Sequence, residues 1–161
     1  MIKHLRIDNR LIHGQVAVSW MSYIESKSII VCNDAVSRDP IQKMTLPLAA
    51  QGRDVKVFSI DDTIKYANEH PDEKIFIICK FPSDALALLK AEIPIETINV
   101  GNAAPNSGTE FKMVTKSIAV TKEEADVYRE IEKLQGKTLY SQMLPANNQE
   151  PFIALLEKAG L

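Results

Sequence analysis

The sequence has few of the residues that mark metal, redox or membrane proteins. It contains 2 cysteines and 3 histidines, and they lack the close spacing that zinc sites and redox motifs use. Cys32 and Cys79 each end an apolar run, which predicts buried free thiols. No apolar stretch approaches the roughly 18 residues of a membrane-spanning helix. These absences argue against a metal centre, a disulfide framework and direct insertion into a membrane.

Neither sign of charge dominates the chain. Lys and Arg number 19 against 21 Asp and Glu, which gives a net charge of -2, and there is no long basic tract. Because nucleic-acid-binding proteins concentrate Lys and Arg on one face, we expect no nucleic-acid partner. The first residues also lack the apolar segment of about 7–15 residues that a secretory signal carries. We therefore expect a cytoplasmic protein.

Short β-branched runs alternate along the chain with longer segments of helical spacing. The runs cover residues 4–8, 28–33, 55–60, 74–80, 96–100, 117–120 and 137–143. Several are apolar at consecutive positions, which is typical of parallel strands covered on both faces. The chain has 161 residues, the size of one domain. The sequence predicts a single α/β domain over residues 1–161, with an open, mostly parallel central sheet of about six or seven strands and helices on both faces.

A polar turn leads from the first predicted strand into a histidine and a glycine, in the segment RIDNRLIHGQV. With a strand over 4–8 and a helix beginning near Gly14, His13 lies at the carboxyl edge of the sheet. Open α/β sheets bind ligands at this edge. A helix N-terminus offers unpaired N–H groups and partial positive charge, which attract phosphate. We expect Gly14 to keep the approach open and His13 to be able to accept a phosphoryl group.

Three neighbours of His13 are candidates for supporting that chemistry. Arg10 brings a delocalised cation suited to a phosphoryl group. Asp8 can accept a hydrogen bond from the imidazole or orient Arg10, and Gln15 is a weaker candidate in the first helical turn. Spacing alone leaves a simpler interpretation open. In it, Asp8 and Asn9 form an ordinary turn, Arg10 faces solvent and His13 caps the helix.

Three more polar residues follow predicted strands and are candidates for a supporting role at the same edge. Asp34 follows the second strand, Lys80 the fourth, and Asn102 is the second residue of the irregular stretch 101–115 after the fifth. Loops of that length in compact domains are often functional. Each residue also has an ordinary role that stays open: a cap for Asp34, a solvated strand end for Lys80 and a loop residue for Asn102.

The segment RIDNRLIHGQV resembles the signature of the IIB components of the mannose/fructose/sorbose family of the bacterial sugar phosphotransferase system. The resemblance covers most of the chain, through Trp20, IIVCNDAVSRDPIQK (29–43), CKFPSDAL (79–86) and PIETINVGN (94–102). It implies that His13 is the phosphorylated histidine, with the group on Nδ1. It also implies that Arg10 and Asp8 are the arginine and the acidic residue of the family's site.

The resemblance implies a phosphocarrier. His13 would take a phosphoryl group from a phosphohistidine on a IIA protein and give it to a sugar held by the membrane IIC/IID permease. No cofactor or metal is implied beyond the phosphoryl group itself, and the protein would meet the inner face of the membrane through the permease. The alternative is a non-catalytic module that senses an anion or docks a permease.

Two further expectations concern the sugar and the IIA partner. Many relatives carry a glycine-rich sequence where this chain has GNAAP at 101–105. The INVGN segment is closer to members that handle N-acetylgalactosamine, so the expected sugar is N-acetylgalactosamine or another hexose. We also expect the IIA protein to dock around the helix N-terminus, with one of Leu11 and Ile12 on the surface and the other anchored inward.

Overall fold

The computed structural model describes residues 1–161 and contains a central sheet, a small second sheet and seven helices. The central sheet comprises β1 (Ile2–Asp8), β2 (Ser28–Cys32), β3 (Asp54–Phe58), β4 (Ile75–Cys79), β5 (Ile98–Asn102), β8 (Tyr140–Ser141) and β9 (Glu150–Pro151). The second sheet comprises β6 (Lys112–Thr115) and β7 (Ile118–Val120). The helices are α1 (Gly14–Ile24), α2 (Asp34–Ser37), α3 (Pro40–Ala49), α4 (Ile60–Glu69), α5 (Pro82–Lys90), α6 (Lys122–Gln135) and α7 (Phe152–Lys158). None of them combines the length and apolar character that a bilayer crossing requires.

The strands of the central sheet lie in the order β3-β2-β4-β1-β5-β8-β9. All neighbouring pairs are parallel except β8 and β9 at one edge. In the register, Leu5 of β1 lies between Ile77 of β4 and Ile98 of β5. These three strands are buried almost throughout, as expected for strands covered on both faces. The predicted α/β class and mostly parallel sheet are confirmed.

The prediction that residues 117–120 add a strand to the central sheet is wrong. This segment forms β7, which pairs antiparallel with β6. Only residues 116–117 separate the two strands, and so short a connection permits antiparallel pairing alone. The irregular stretch 101–115 is therefore shorter than predicted, since both of its ends belong to strands. The seventh strand of the central sheet is instead β9, which pairs over two residues with β8 and has no strand-like pattern in the sequence.

Two apolar clusters occupy the two faces of the sheet. Helices α1, α2 and α3 pack on one face, whereas α4, α5, α6 and α7 pack on the other. The chain thus leaves β1 toward the first face and leaves the adjacent β4 toward the second. Such a change of side opens a crevice at the carboxyl ends of the two strands. Cys32 and Cys79 are buried free thiols in the second cluster, as predicted.

His4 is buried in the core beneath α1, and its protonation makes the stability of the fold depend on pH. Its ring stacks on Trp20 at 4.4 Å, is only 5% exposed, and its Nε2 has no hydrogen-bond partner. Burial, assisted by the positive charge of Arg6, lowers the pKa of His4 from 6.5 to about 3. The unfolded chain therefore binds the proton first, and stability falls as the pH drops from the unfolded pKa toward the folded one.

We expect His4→Phe to weaken the pH dependence of the unfolding free energy between pH 7 and pH 5. Between pH 7 and pH 5 the wild type should lose about 2 kcal/mol more unfolding free energy than the variant, because one pKa unit corresponds to about 1.4 kcal/mol. Urea unfolding of both proteins at the two pH values measures the difference. Equal losses would mean that the carboxylates, and not His4, set the profile.

Candidate functional site

The loop after β1 is a tight turn that delivers His13 to the start of α1. The Leu11 N–H donates to the Asp8 carbonyl at 3.0 Å, and Leu11 adopts a left-handed backbone with φ 62°. His13 is extended, with φ -136° and ψ 110°, and Gly14 opens the helix with φ 51°. His13 is exposed, and its side chain makes no capping hydrogen bond. The simpler interpretation of its imidazole as a helix cap is therefore wrong.

The start of α1 differs from the starts of most other helices. The N-cap side chain accepts a backbone N–H at α2, α3, α4 and α6, through Asn33, Asp39, Ser59 and Thr121. At α1 neither such a cap nor an acidic residue in the first turn is present. The positive end of the α1 dipole is therefore not neutralised by the chain itself, and it favours an anion beside His13.

Asp8 is a buried carboxylate that holds two arginines. Its Oδ1 accepts from Arg10 N at 3.0 Å and from Arg10 Nε at 3.2 Å. Its Oδ2 accepts from Arg10 Nη2 at 3.2 Å and from Arg6 Nε at 3.3 Å. The Arg10 side chain remains 29% exposed, whereas those of Arg6 and Asp8 are almost fully buried. Two guanidinium groups around one carboxylate leave a net charge of +1, and only the Arg10 end of the cluster reaches solvent.

Arg6 was not predicted from the sequence as a site residue. It is 1% exposed, its Nη1 donates to the Gln142 carbonyl at 2.9 Å, and its guanidinium lies 6.0 Å from the centroid of the Trp20 ring. Burial lowers the pKa of Arg6, and the nearby Asp8 opposes this effect. A guanidinium stays charged in proteins, because its ordinary pKa lies far above neutrality. The available signal was its spacing: residues two apart on a strand point to the same side, so Arg6 and Asp8 share a face of β1.

Gly101 makes room for the Arg6 guanidinium. A Cβ at this position would lie 2.2 Å from Arg6 Cζ. The guanidinium cannot move aside cheaply, because it is buried and bonded to both Asp8 and the Gln142 carbonyl. Gly101 is therefore a position of close approach where a side chain does not fit.

We expect Gly101→Ala to lower the free energy of unfolding by roughly 2 to 3 kcal/mol, the upper part of the range of about 1 to 3 kcal/mol that overpacking a filled interior costs. Chemical denaturation of the variant and the wild type measures the loss. Gly108→Ala is the matched control, because the nearest atom to its added Cβ would be 3.9 Å away. A Gly101 variant as stable as this control would show that the guanidinium relocates freely.

Asn102, one of the candidates for a supporting role, lies beside this cluster. It is 6% exposed. With its amide oriented to match its neighbours, its oxygen accepts from Arg10 Nε at 3.1 Å and its nitrogen donates to the Ser117 carbonyl at 3.1 Å. Asn9, which was not predicted as a site residue, exchanges two 2.9 Å hydrogen bonds with the backbone of Ala104. Together the two asparagines tie the end of β5 to the turn that carries Arg10.

The structure does not bring Asp34, Lys80 or Gln15 into this cluster. Asp34 accepts from the Ile60 N–H at 2.9 Å and so binds the start of α4. Lys80 lies with its amine 5.4 Å from the centroid of the Phe81 ring, and it lines a cavity of about 180 Å³ that Asn9 also lines. Gln15 is exposed in the first turn of α1.

The expectation that one of Leu11 and Ile12 lies on the surface is wrong. Each is only 5% exposed and belongs to the apolar cluster under α1. The left-handed turn at Leu11 points both side chains inward, which fixes the loop to the core. The exposed residues directly after His13 are Gly14 and Gln15.

Residues 2–161 match the family described as the PTS system sorbose subfamily IIB component. The chain belongs to this family. It is 32% identical over 154 residues to the N-acetylgalactosamine-specific phosphotransferase enzyme IIB component 2 of Escherichia coli, with 94% of each chain covered. It is 35% identical over 135 residues to the sorbose-specific EIIB component of Klebsiella pneumoniae, covering 82% of this chain and 81% of that one.

The fold of this IIB component is that of its relatives. The crystal structure of the IIBSor domain of the Klebsiella pneumoniae sorbose permease superposes with a TM-score of 0.90 at 29% identity. The match covers 98% of this chain and 97% of the other. The resemblance to the mannose/fructose/sorbose family is confirmed, and the protein is a IIB component of the sugar phosphotransferase system. IIB components of this family operate with IIA and IIC/IID partners.

Proposed function

We propose that this IIB component carries a phosphoryl group on Nδ1 of His13. The group comes from a phosphohistidine on a IIA protein and goes to a sugar held by a IIC/IID permease. The observation that carries the proposal is the exposed, uncapped His13 at the start of α1, three residues after an arginine that a buried carboxylate holds in place. Because its partner is a membrane permease, the protein works in the cytoplasm at the inner face of the membrane.

The transfer consists of two in-line displacements. The Nδ1 lone pair of His13 attacks the phosphorus, and the P–N bond to the IIA histidine breaks, with its electron pair returning to that imidazole. In the second step a sugar hydroxyl oxygen forms the new bond to phosphorus while the P–N bond to His13 breaks. The hydroxyl proton passes to the freed imidazole. Such chemistry depends on positioning and on charge stabilisation of the phosphoryl oxygens.

The residues around His13 match those two requirements. The exposed end of Arg10 supplies a cation, and both oxygens of Asp8 fix its direction. The N–H groups at the start of α1 supply further donors. The turn leaves the ring of His13 open to solvent. That openness suits a carrier, because a IIA histidine and a sugar hydroxyl must reach the same phosphorus in turn.

N-acetylgalactosamine is the sugar that we propose. The INVGN segment of β5 and the similarity to an N-acetylgalactosamine-specific relative support this choice. Sugar selection lies mainly in the permease, so this IIB component contributes by fitting the permease that binds N-acetylgalactosamine. The test therefore has to include that membrane partner.

Incubation with phosphoenolpyruvate, the general phosphotransferase proteins and a cognate IIA tests the first step. We expect intact-mass analysis to show one acid-labile phosphoryl group per chain. The phosphorylated protein is then mixed with membranes containing the cognate permease and either N-acetylgalactosamine or sorbose, and we expect rapid discharge with the first sugar only. If a IIA of proven activity leaves the chain unmodified, the non-catalytic anion-sensing or permease-docking module replaces this proposal. Faster discharge with sorbose would overturn the choice of sugar alone.

A further inference from the structure

We propose that Arg6 is a positioning residue for phosphoryl transfer, and that it acts through Asp8 to aim Arg10 at the phosphoryl group. The inference rests on the proposed function of His13. It assigns a role in the chemistry to a residue that neither partner nor substrate can touch.

Arg6 is buried, and each of its contacts is with the protein itself. It is 1% exposed, and its guanidinium packs against Trp20 and against the backbone at Gly101. Its Nη1 donates to the Gln142 carbonyl, and its Nη2 lies 3.7 Å from the Met143 sulfur. A phosphoryl group on His13 therefore cannot meet Arg6 directly. The route open to Arg6 is its hydrogen bond from Nε to Asp8.

That bond fixes the plane of the Asp8 carboxylate. Arg6 Nε holds Oδ2 from inside the protein at 3.3 Å, while Arg10 Nη2 holds the same atom from outside at 3.2 Å. Oδ1 is then left facing the backbone N–H and the Nε of Arg10. Without Arg6, Oδ2 would be bound only by the Arg10 side chain and could shift together with it. The second guanidinium removes that freedom, so the exposed end of Arg10 keeps one direction.

The Gln142 carbonyl, which accepts from Arg6, belongs to a segment that is itself bound to the rest of the protein. The Gln142 carbonyl that accepts from Arg6 also accepts from Asn99 Nδ2 at 2.9 Å, and Gln142 N donates to Asn99 Oδ1 at 2.8 Å. The next carbonyl, that of Met143, accepts from Trp20 Nε1 at 3.0 Å. The segment after β8 is thus bound to β5 and α1 at two consecutive carbonyls. It gives Arg6 a rigid support, which is what a positioning role requires.

Single-turnover transfer from phosphorylated IIA tests the proposal. We expect Arg6→Lys to slow the transfer step by about tenfold to a hundredfold, the scale of a small misplacement at a reacting centre. The IIA concentration giving half the maximal rate should stay unchanged, because the buried Arg6 cannot contact IIA. Lys3→Gln removes a partly exposed cation from the other end of β1 and should leave both values unchanged. An unaltered transfer rate in Arg6→Lys, with the wild type phosphorylated, overturns this inference and leaves the proposed function standing.

A double-mutant cycle separates positioning from general damage to the fold. If Arg6 acts through Arg10, Arg6→Lys adds no further loss in an Arg10→Gln background. If the double variant instead slows transfer by the product of the two single factors, the proposal is overturned. Ile75→Ala controls for lost stability, since Ile75 is buried at the start of β4, at the end of the sheet away from His13. An equal slowing in this control would also overturn the proposal.

A second variant keeps the test decisive if Arg6→Lys does not fold. Gly101→Ala retains the charge of Arg6 but presses on its guanidinium. We expect it to slow the transfer step in the wild-type background and to have no further effect beside Arg10→Gln. A wild type that IIA does not phosphorylate would remove the proposed function, and this inference with it.

Discussion

Substitution of His13 by alanine is expected to abolish phosphorylation of this IIB component, from one phosphoryl group per chain to none. The chain has 3 histidines, and the structure gives only His13 an exposed ring without a partner. His4 is buried against Trp20 with a pKa of about 3. The Nδ1 of His70 lies 2.9 Å from the Tyr66 carbonyl, and its ring stacks on Tyr66 at 4.0 Å. A nucleophilic nitrogen needs a free lone pair and an open approach.

The measurement is intact mass after incubation with the phosphoenolpyruvate-dependent donors, before and after mild acid. His70→Ala is the matched control, because it removes an exposed histidine whose ring is already engaged with Tyr66. It should retain the full acid-labile mass increase. Because His13 is exposed and caps nothing, its alanine variant should remain folded, which circular dichroism checks. A phosphoryl group on the His13 variant would place the acceptor elsewhere.

The carboxyl edge and its histidine could be predicted because they depend on local signals. The alternation of apolar runs and helical segments indicates a parallel sheet, and in such a sheet the residues after each strand share one edge. His13, Arg10 and Asp8 all lie within six residues of one strand end. Local sequence is therefore sufficient to bring them together.

Strand order explains why Asn102 joined the site and Asp34 did not, and local sequence does not reveal strand order. Lys80 follows β4, which is adjacent to β1, but its amine lies beside the Phe81 ring instead. In the observed order β4 and β5 flank β1, whereas β2 is one strand further away. Neighbouring strands are about 4.8 Å apart, so Asp34 at the end of β2 starts about 10 Å from the end of β1. Asn102 at the end of β5 reaches Arg10.

The support beneath the site depends on contacts between the two ends of the chain. Arg6 and the Gln142 carbonyl are 136 residues apart, and Gly101 has its role only because Arg6 lies against it. The two-residue strands β8 and β9 are too short to show a period of two. The one available signal was the spacing of Arg6 and Asp8, which are two residues apart and therefore lie on the same face of β1.

Replacement of Arg10 by glutamine is expected to slow transfer from phosphorylated IIA to His13 by about a hundredfold to a thousandfold, the scale for one lost donor to developing charge. Glutamine retains hydrogen-bonding capacity but removes the only arginine of the cluster that reaches solvent. Asp8 keeps its bond to Arg6, so the buried carboxylate is not left alone and the fold should persist. The loss should appear in the transfer rate constant, because Arg10 acts on charge that develops as the phosphoryl group moves.

Single-turnover assays with labelled phospho-IIA measure this rate constant for the wild type, Arg10→Gln and Arg10→Lys. Lysine restores the charge but not the paired donors that hold both oxygens of Asp8, so it should recover only part of the rate. Lys65→Gln removes the same charge from an exposed position on α4 and should have no effect. If Arg10→Lys transfers as fast as the wild type, charge alone suffices, and the fixed direction that Asp8 gives to Arg10 is dispensable for the reaction.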